Sequence, residues 1–218
     1  NKMKKVVYVD MDNVPDYRDA DPFSNRGVLV DRTLQTNIKD IYAIGDCAEQ
    51  RVAVEGRRPI EAVWYTGRIM GETVAQTICR KETLYNPGHW FNSAKFFDIE
   101  YQTYGWVNSE QHKKPYESHF HWIHQDQNKC LTIAFDRTTQ KFLGINTFGI
   151  RMRHDIFNRW LDQNQSVDYV LEHLENAHFD PEFYKTYYNE VIEKYNTENN
   201  RSLQLKKKKW SQIFTLKS

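Results

Sequence analysis

The sequence has little of several things that would fix a function class at once. Its formal net charge is only +1 over 218 residues, which excludes the strongly basic footprint of a dedicated nucleic-acid-binding domain. No apolar run approaches the roughly 18 residues that a membrane span requires, and the start "NKMKKVVYVDMDNV" lacks the long apolar stretch of a signal peptide. Three cysteines, Cys47, Cys79 and Cys130, are too few and too far apart for a disulfide framework or a zinc knuckle. A reduced, cytoplasmic setting is the expectation. What is present is apolar bulk. With 39% hydrophobic and 14% aromatic residues the chain can bury a core, which argues against wholesale disorder and allows one large domain or two modest ones.

Two patterning regimes divide the chain. Up to about Lys81 it reads as α/β: "KVVYVD", "RGVLVD" and "DIYAIGD" are short apolar or alternating runs expected as strands. A helix is predicted over Glu61 to Arg80, with a stripe of Val63, Tyr65 or Thr66, Met70, Val74, Thr77 and Ile78. Gly67 and Gly71 lie four apart on one face of it. They either permit close approach of another backbone or are simply tolerated, at about 1 kcal/mol each. The turn-rich "LYNPGHW" marks a boundary. Beyond it, "KFFDIEYQTYGWV", "SHFHWIHQD", "KCLTIAFD" and "FLGINTFGI" follow one another across short polar turns, as in an antiparallel meander. Helices return with "HDIFNRWLDQN", with "SVDYVLEHL" behind a capping Ser166, and with "DPEFYKTYYNEVIEKY" behind Asp180 and Pro181. The expected domains are 1–84, 88–195 and a polar linker with basic tail, 196–218.

The stretch "TNIKDIYAIGDCAEQ", Thr36 to Gln50, places an aspartate at the close of an apolar run. At the carboxyl end of a strand in an α/β sheet, a carboxylate can accept hydrogen bonds from ligand hydroxyls, or it can close a turn or cap a helix. The wider string is more specific. Gly27, Val28, Val30, Asp31, Thr36, Asp40, Ile41, Tyr42, Ala43, Gly45 and Asp46 stand in the order of the second flavin-binding motif of the FAD-dependent pyridine nucleotide-disulfide oxidoreductases, and the chain resembles that family. By resemblance, Gly45 and Asp46 hold the ribityl chain of FAD. "RRPIEAVWYTGRIMGETVA" resembles the family's next helix, whose amino end faces the flavin and stabilises negative charge there. That implies cofactor contacts from the backbone of Ala62, Val63 and Trp64. Glu61 either touches flavin or nicotinamide or serves as an acid at the helix start. From "WFNSAKFFDIEYQTYG" onward the chain resembles the C-terminal interface domain of the ferredoxin-reductase-like branch, and the whole resemblance runs from about Gly27 to Leu174. The implied fold class is α/β plus α+β: a partial three-layer FAD-binding domain, then an antiparallel β-sheet interface domain with C-terminal helices.

The family's two Gly-rich loops, which hold the FAD pyrophosphate and NAD(P)H on backbone N–H groups, have no counterpart among the nine glycines of this chain. The redox-active Cys-x-x-x-x-Cys of the disulfide-reducing branch is absent too, and Cys47 is expected as a small buried residue rather than a nucleophile. The resemblance therefore implies the C-terminal portion of an FAD-dependent NAD(P)H oxidoreductase. This chain alone is expected to be inactive and to bind FAD poorly, with no catalytic residue assigned.

Other readings of the residues stay open. "KKVVYVDMDNV" is either a flavoprotein strand ending at Val14, Pro15 and Asp16, or a likeness of the first haloacid-dehalogenase phosphatase motif. In the latter Asp10 is the nucleophile and Asp12 the acid/base, with magnesium nearby. His119, His121 and His124 are spaced for a shared metal or for an exposed strand face, and no metal is expected. Trp90, Phe91 and Lys95 are candidates to lie near a flavin or to pack. The interface domain implies a homodimer, or the docking of an electron-transfer protein as a non-catalytic module. The tail with Lys206 to Lys209 can touch a membrane surface, dock an acidic electron-transfer partner, pack as a terminal strand or lie in solvent.

Overall fold

A computed structural model describes residues 27–179 and 185–206. The strand expected at "KVVYVD", Asp10 and Asp12, the Val14–Asp16 turn, Asp180 and Pro181, and the tail beyond Lys206 lie outside the described residues. The chain divides into two compact units, with the division between Gly88 and His89.

In the first unit β1 (Val28–Val30) and β2 (Ala48–Gln50) pair in parallel, Val28 opposite Ala48 and Val30 opposite Gln50. Asp31 ends β1 by local chemistry: its Oδ1 accepts from the Thr33 and Gln35 amides and from the Thr33 hydroxyl, an Asx-type turn. The run "DIYAIGD" is not a regular strand. Tyr42 makes one isolated bridge with Gln35, and Ile41 and Ile44 are 36% and 40% exposed. An apolar run becomes a strand only when a neighbour satisfies its backbone along its length, and among the described residues one bridged pair does so. A 3-10 turn at Gly45–Cys47 leads directly into β2. The predicted helix is α1 (Trp64–Ile78). Its buried residues are Thr66, Met70 and Thr73, while Ile78 is 60% exposed. Among the described residues, the core cluster of this unit is Val30, Leu34, Ala48, Met70 and Tyr85.

The second unit is a five-stranded antiparallel sheet of β3 (Phe91–Phe96), β4 (Ile99–Gly105), β5 (Glu117–Ile123), β6 (Cys130–Asp136) and β7 (Phe142–Phe148), in the order β3-β4-β7-β6-β5. Only β5 to β7 form the expected meander. "KFFDIEYQTYGWV" is a hairpin rather than one strand, turning at Phe97 and Asp98 with Phe97 at φ 52. β4 then pairs with β7, so the 106–116 connection carries the chain to the far edge. Glycine is required where that crossing begins, since a Cβ on Gly144 would lie 2.6 Å from the Trp106 backbone nitrogen.

One face of the sheet is covered by helices whose apolar residues recur at helical spacing. α2 (His154–Asp162) contributes Ile156, Phe157, Trp160 and Leu161, and α3 (Val167–Glu172) contributes Val167, Val170 and Leu171. α4 (Tyr188–Asn199) contributes Tyr188, Val191, Ile192 and Tyr195. They pack with Tyr104, Phe120, Leu131, Ile133, Phe142 and Ile145 in one continuous core. Each fully buried side chain of this size contributes about 1.5–3 kcal/mol. Ser166 caps α3 as expected, accepting from the Tyr169 amide at 3.2 Å. α4 differs from expectation at both ends: residues 185–187 are not helical, and the helix continues to Asn199, into the stretch read as linker.

The long 106–116 connection is tied down by one buried acid. Glu117 is 1% exposed and accepts from the Asn108 amide and side chain, from the Lys114 amide and from His119 at 2.6 Å. Burial alone would raise its pKa, but these donors outweigh it and hold the carboxyl below its usual value of 4.5. A depressed folded-state pKa adds stability that is complete above the unfolded value and is lost as pH falls through the folded one. Acid unfolding, followed by circular dichroism, is therefore expected to show stability declining as pH falls below about 4.5. Glu117→Gln should flatten that decline and lower stability at neutral pH by about 1–3 kcal/mol. An unchanged acid profile in the variant would remove Glu117 from this role.

Candidate functional site

The residues predicted to meet a cofactor fall on two neighbouring features of the first unit. Gly45 has φ +75, a conformation that glycine adopts without a Cβ penalty. This geometry opens the 3-10 turn and leaves Asp46 exposed at its centre. The Asp46 carboxylate makes no hydrogen bond to any described residue. Beside it lies the first turn of α1: a Cβ on Gly67 would be 3.4 Å from the Gly45 Cα. Gly71, one turn on, faces Ile44. Of the two readings of these glycines, close backbone approach is the one observed at Gly67.

The start of α1 is open. Val63 is extended, and no side chain among the described residues caps the helix there. Its first amides carry the partial positive charge of a helix amino end. Ala62 and Trp64 are exposed and Val63 is half-buried, so the backbone proposed to face a cofactor lies at the surface. Trp64 is 69% exposed, with its ring edge-on to Tyr65 and Arg68 set 6.0 Å from its centroid.

Glu61 is placed differently. It is 7% exposed, and its carboxylate is gripped by Arg57, with Nε to Oε1 at 2.7 Å and Nη2 to Oε2 at 2.5 Å. The Thr66 hydroxyl adds a bond at 3.3 Å, and Arg57 Nη1 reaches the Gly88 carbonyl at 2.9 Å. Glu61 therefore ties the approach to α1 into the fold, with its carboxylate already spoken for. The Tyr85 hydroxyl nearby is pushed up to about 12, by burial first and by the Glu61 charge second. Arg57 was not singled out from sequence, although its four-residue spacing from Glu61 was visible there.

Cys47 corrects an expectation. It is exposed, because the 3-10 turn directs it outward and buries Ala48 instead. All three cysteines are free. The histidines of the sheet are separately engaged. His119 contacts Glu117, and His121 contacts the Thr132 hydroxyl at 2.7 Å. His124 is buried against Trp122 and Tyr187. Among the described residues no three metal-ligating side chains converge. In the second unit Trp90 stacks on Trp106 with centroids 5.5 Å apart, and Phe91 lies 3.9 Å from the His154 ring against the core, while Lys95 is exposed. No helix among the described residues is long and apolar enough to cross a membrane.

Residues 18–76 match the family model described as pyridine nucleotide-disulphide oxidoreductase, a stretch that includes the ordered residues from Gly27 to Asp46. That family is FAD- and NAD(P)H-dependent.

Over 132 residues the chain is 27% identical to an NAD(P)H coenzyme A polysulfide/persulfide reductase of Pyrococcus horikoshii, covering 56% of this chain and 29% of that protein. It is 26% identical to an NAD(P)H sulfur oxidoreductase (CoA-dependent) of Pyrococcus abyssi with the same coverage. The chain thus spans less than a third of the length of these curated relatives. The fold is similar to that of an NAD-dependent persulfide reductase from A. fulgidus, with a TM-score of 0.56 and 17% identity over 80% of this chain and 35% of that one. It is also similar to an FAD-dependent pyridine nucleotide-disulphide oxidoreductase from Desulfovibrio vulgaris, with a TM-score of 0.53 and 19% identity over 73% and 39%.

The Arg57–Glu61 pair generates a stability prediction. Arg57→Ala strands a buried carboxylate and is expected to destabilise the first unit by about 3–5 kcal/mol. Replacing both partners by methionine should recover much of that loss, as read by urea unfolding. A double variant no more stable than Arg57→Ala would show that the charge pairing is not what Arg57 supplies.

Proposed function

We propose that this chain supplies the ribityl-binding carboxylate, the flavin-facing helix and the interface module of an FAD-dependent NAD(P)H oxidoreductase. The observation that carries the reading is the Gly45–Asp46 turn seated on the first turn of α1. It sets an exposed acceptor beside a helix amino end without a side-chain cap. When bound, FAD would supply two-electron transfer between NAD(P)H and an acceptor. Asp46 accepts hydrogen bonds from ribityl hydroxyls, which requires no charge on that part of the ligand. The first amides of α1, from Ala62 to Trp64, favour negative charge at the nearby ring edge. Glu61 acts indirectly, by holding the segment that leads into the helix. The relatives named for polysulfide, persulfide and sulfur make sulfur–sulfur bonds the acceptor class to assay first.

Because the sequence has no Gly-x-Gly-x-x-Gly, the phosphates of FAD gain no backbone cradle of that type from this chain. Weak FAD binding is therefore expected in a fluorescence titration. Asp46→Ala should weaken it further by about 10- to 100-fold, the loss of a charge-assisted hydrogen bond. Equal affinity in the two proteins would remove Asp46 from the site.

The module role we propose is self-association through the sheet face opposite the helices. Across all five strands one row reads Ala94, Tyr101, Phe148, Cys130 and Ile123. The adjacent row, from Asn92 to His121, has no Lys, Arg, Asp or Glu, although 27% of the chain is charged. Depletion of charge beside exposed aromatics is the composition of an interface centre. A neutral face suits its own two-fold copy better than a charged partner. Sedimentation is expected to find a dimer that Phe148→Lys converts to monomer. A wild-type monomer at tens of micromolar, about the range in which a weak interface still associates, would favour docking of a separate electron-transfer protein.

A further inference from the structure

Three features of different kinds converge on Gly45. The Gly45 amide donates to the Met70 sulfur at 3.3 Å, and Met70 is 2% exposed. The Gly45 backbone is in the left-handed region. Its Cα is the nearest neighbour of the bare Gly67 position, at 3.4 Å from where a Cβ would stand. A core alone would accept leucine at 70, and a helix alone would prefer alanine at 67.

We propose that Met70 and Gly67 are positioning residues, which seat the Gly45–Asp46 turn on the first turn of α1 so that the Asp46 carboxylate and the helix amino end address one ligand. This rests on the reading of Asp46 as a flavin ligand. The unbranched thioether reaches from the second turn of α1 to the amide that begins the 3-10 turn. It satisfies a half-buried donor that leucine would leave without a partner. Gly67 determines how near the turn can sit, and Met70 determines its orientation about that contact.

Gly71 supplies an internal control. A Cβ there would meet only the Ile44 Cδ1 at 3.8 Å, an ordinary contact. Gly67→Ala and Gly71→Ala make the same helix-favouring change one turn apart. Gly71→Ala is expected to raise the thermal midpoint and leave FAD affinity unchanged, while Gly67→Ala should weaken FAD binding by about fivefold without unfolding the unit. Met70→Leu should weaken binding by a similar factor, about that of one lost hydrogen bond.

A flavin-free readout separates the two ideas. Hydrogen exchange of the Gly45 amide is expected to accelerate about fivefold in Met70→Leu and to be unchanged in Gly71→Ala. If the wild-type chain binds no FAD, the flavin reading fails while the exchange data still judge the positioning. If Met70→Leu does not fold, the Gly67 and Gly71 pair decides. Equal FAD affinity in that pair, or unchanged Gly45 exchange in a folded Met70→Leu, would overturn the proposal.

Discussion

The first unit depends on the close approach of two backbones, the turn at Gly45 and helix α1 at Gly67. β2 begins immediately after the turn, and its first residue, Ala48, is fully buried. The seat of the turn on the helix therefore also sets where β2 enters and pairs with β1. Among the described residues five buried hydrophobic side chains form the unit's core cluster, with Ala43, Val54, Ile69 and Val74 packed against them. Backbone contact and the buried Arg57–Glu61 pair add to what its apolar area contributes. The second unit is built the other way, with a single large apolar core between sheet and helices.

The ordered motif from Gly27 to Asp46 was legible because it combines residue types that serve distinct ends. Glycine permits the positive φ at 45, and Asp31 and Asp46 stand at turns. What the motif did not reveal was regular structure. "DIYAIGD" has strand composition, but composition speaks to side-chain burial and not to the presence of a hydrogen-bonding neighbour. The outward turn of Cys47 was hidden for a related reason. A 3-10 turn reverses the alternation that a strand would have continued, so Ala48 takes the buried place.

In the second unit the period-two runs of β5 to β7 and the Ser166 cap could be read directly. The β3–β4 hairpin could not, because its turn lacks the glycine or asparagine that usually supplies positive φ. Phe97 adopts φ 52 there and is 98% exposed, a position that neither turn chemistry nor packing would select. Strand order was hidden as well. The crossing from β4 to β5 is fixed by Glu117 gathering donors from the connection and by the bare backbone at Gly144. The Gly144 contact joins residues distant in sequence, and the Glu117 bonds are side-chain contacts within an irregular connection; local periodicity reports neither.

Two acids of the first unit sit in opposite environments. Glu61 and Asp46 both lie near the start of α1, and both follow apolar residues in sequence. Glu61 is buried with a bidentate arginine and a hydroxyl, so its acceptor capacity is spent within the fold. Recruiting it to a ligand would first break its bidentate contact with the Arg57 guanidinium, whose side chain is only 6% exposed, at a cost larger than one new hydrogen bond returns. Asp46 is exposed, and a ligand hydroxyl need displace only water from it. Of two carboxylates at the same helix end, the fold satisfies Glu61 and leaves Asp46 exposed, with no hydrogen bond from another described residue.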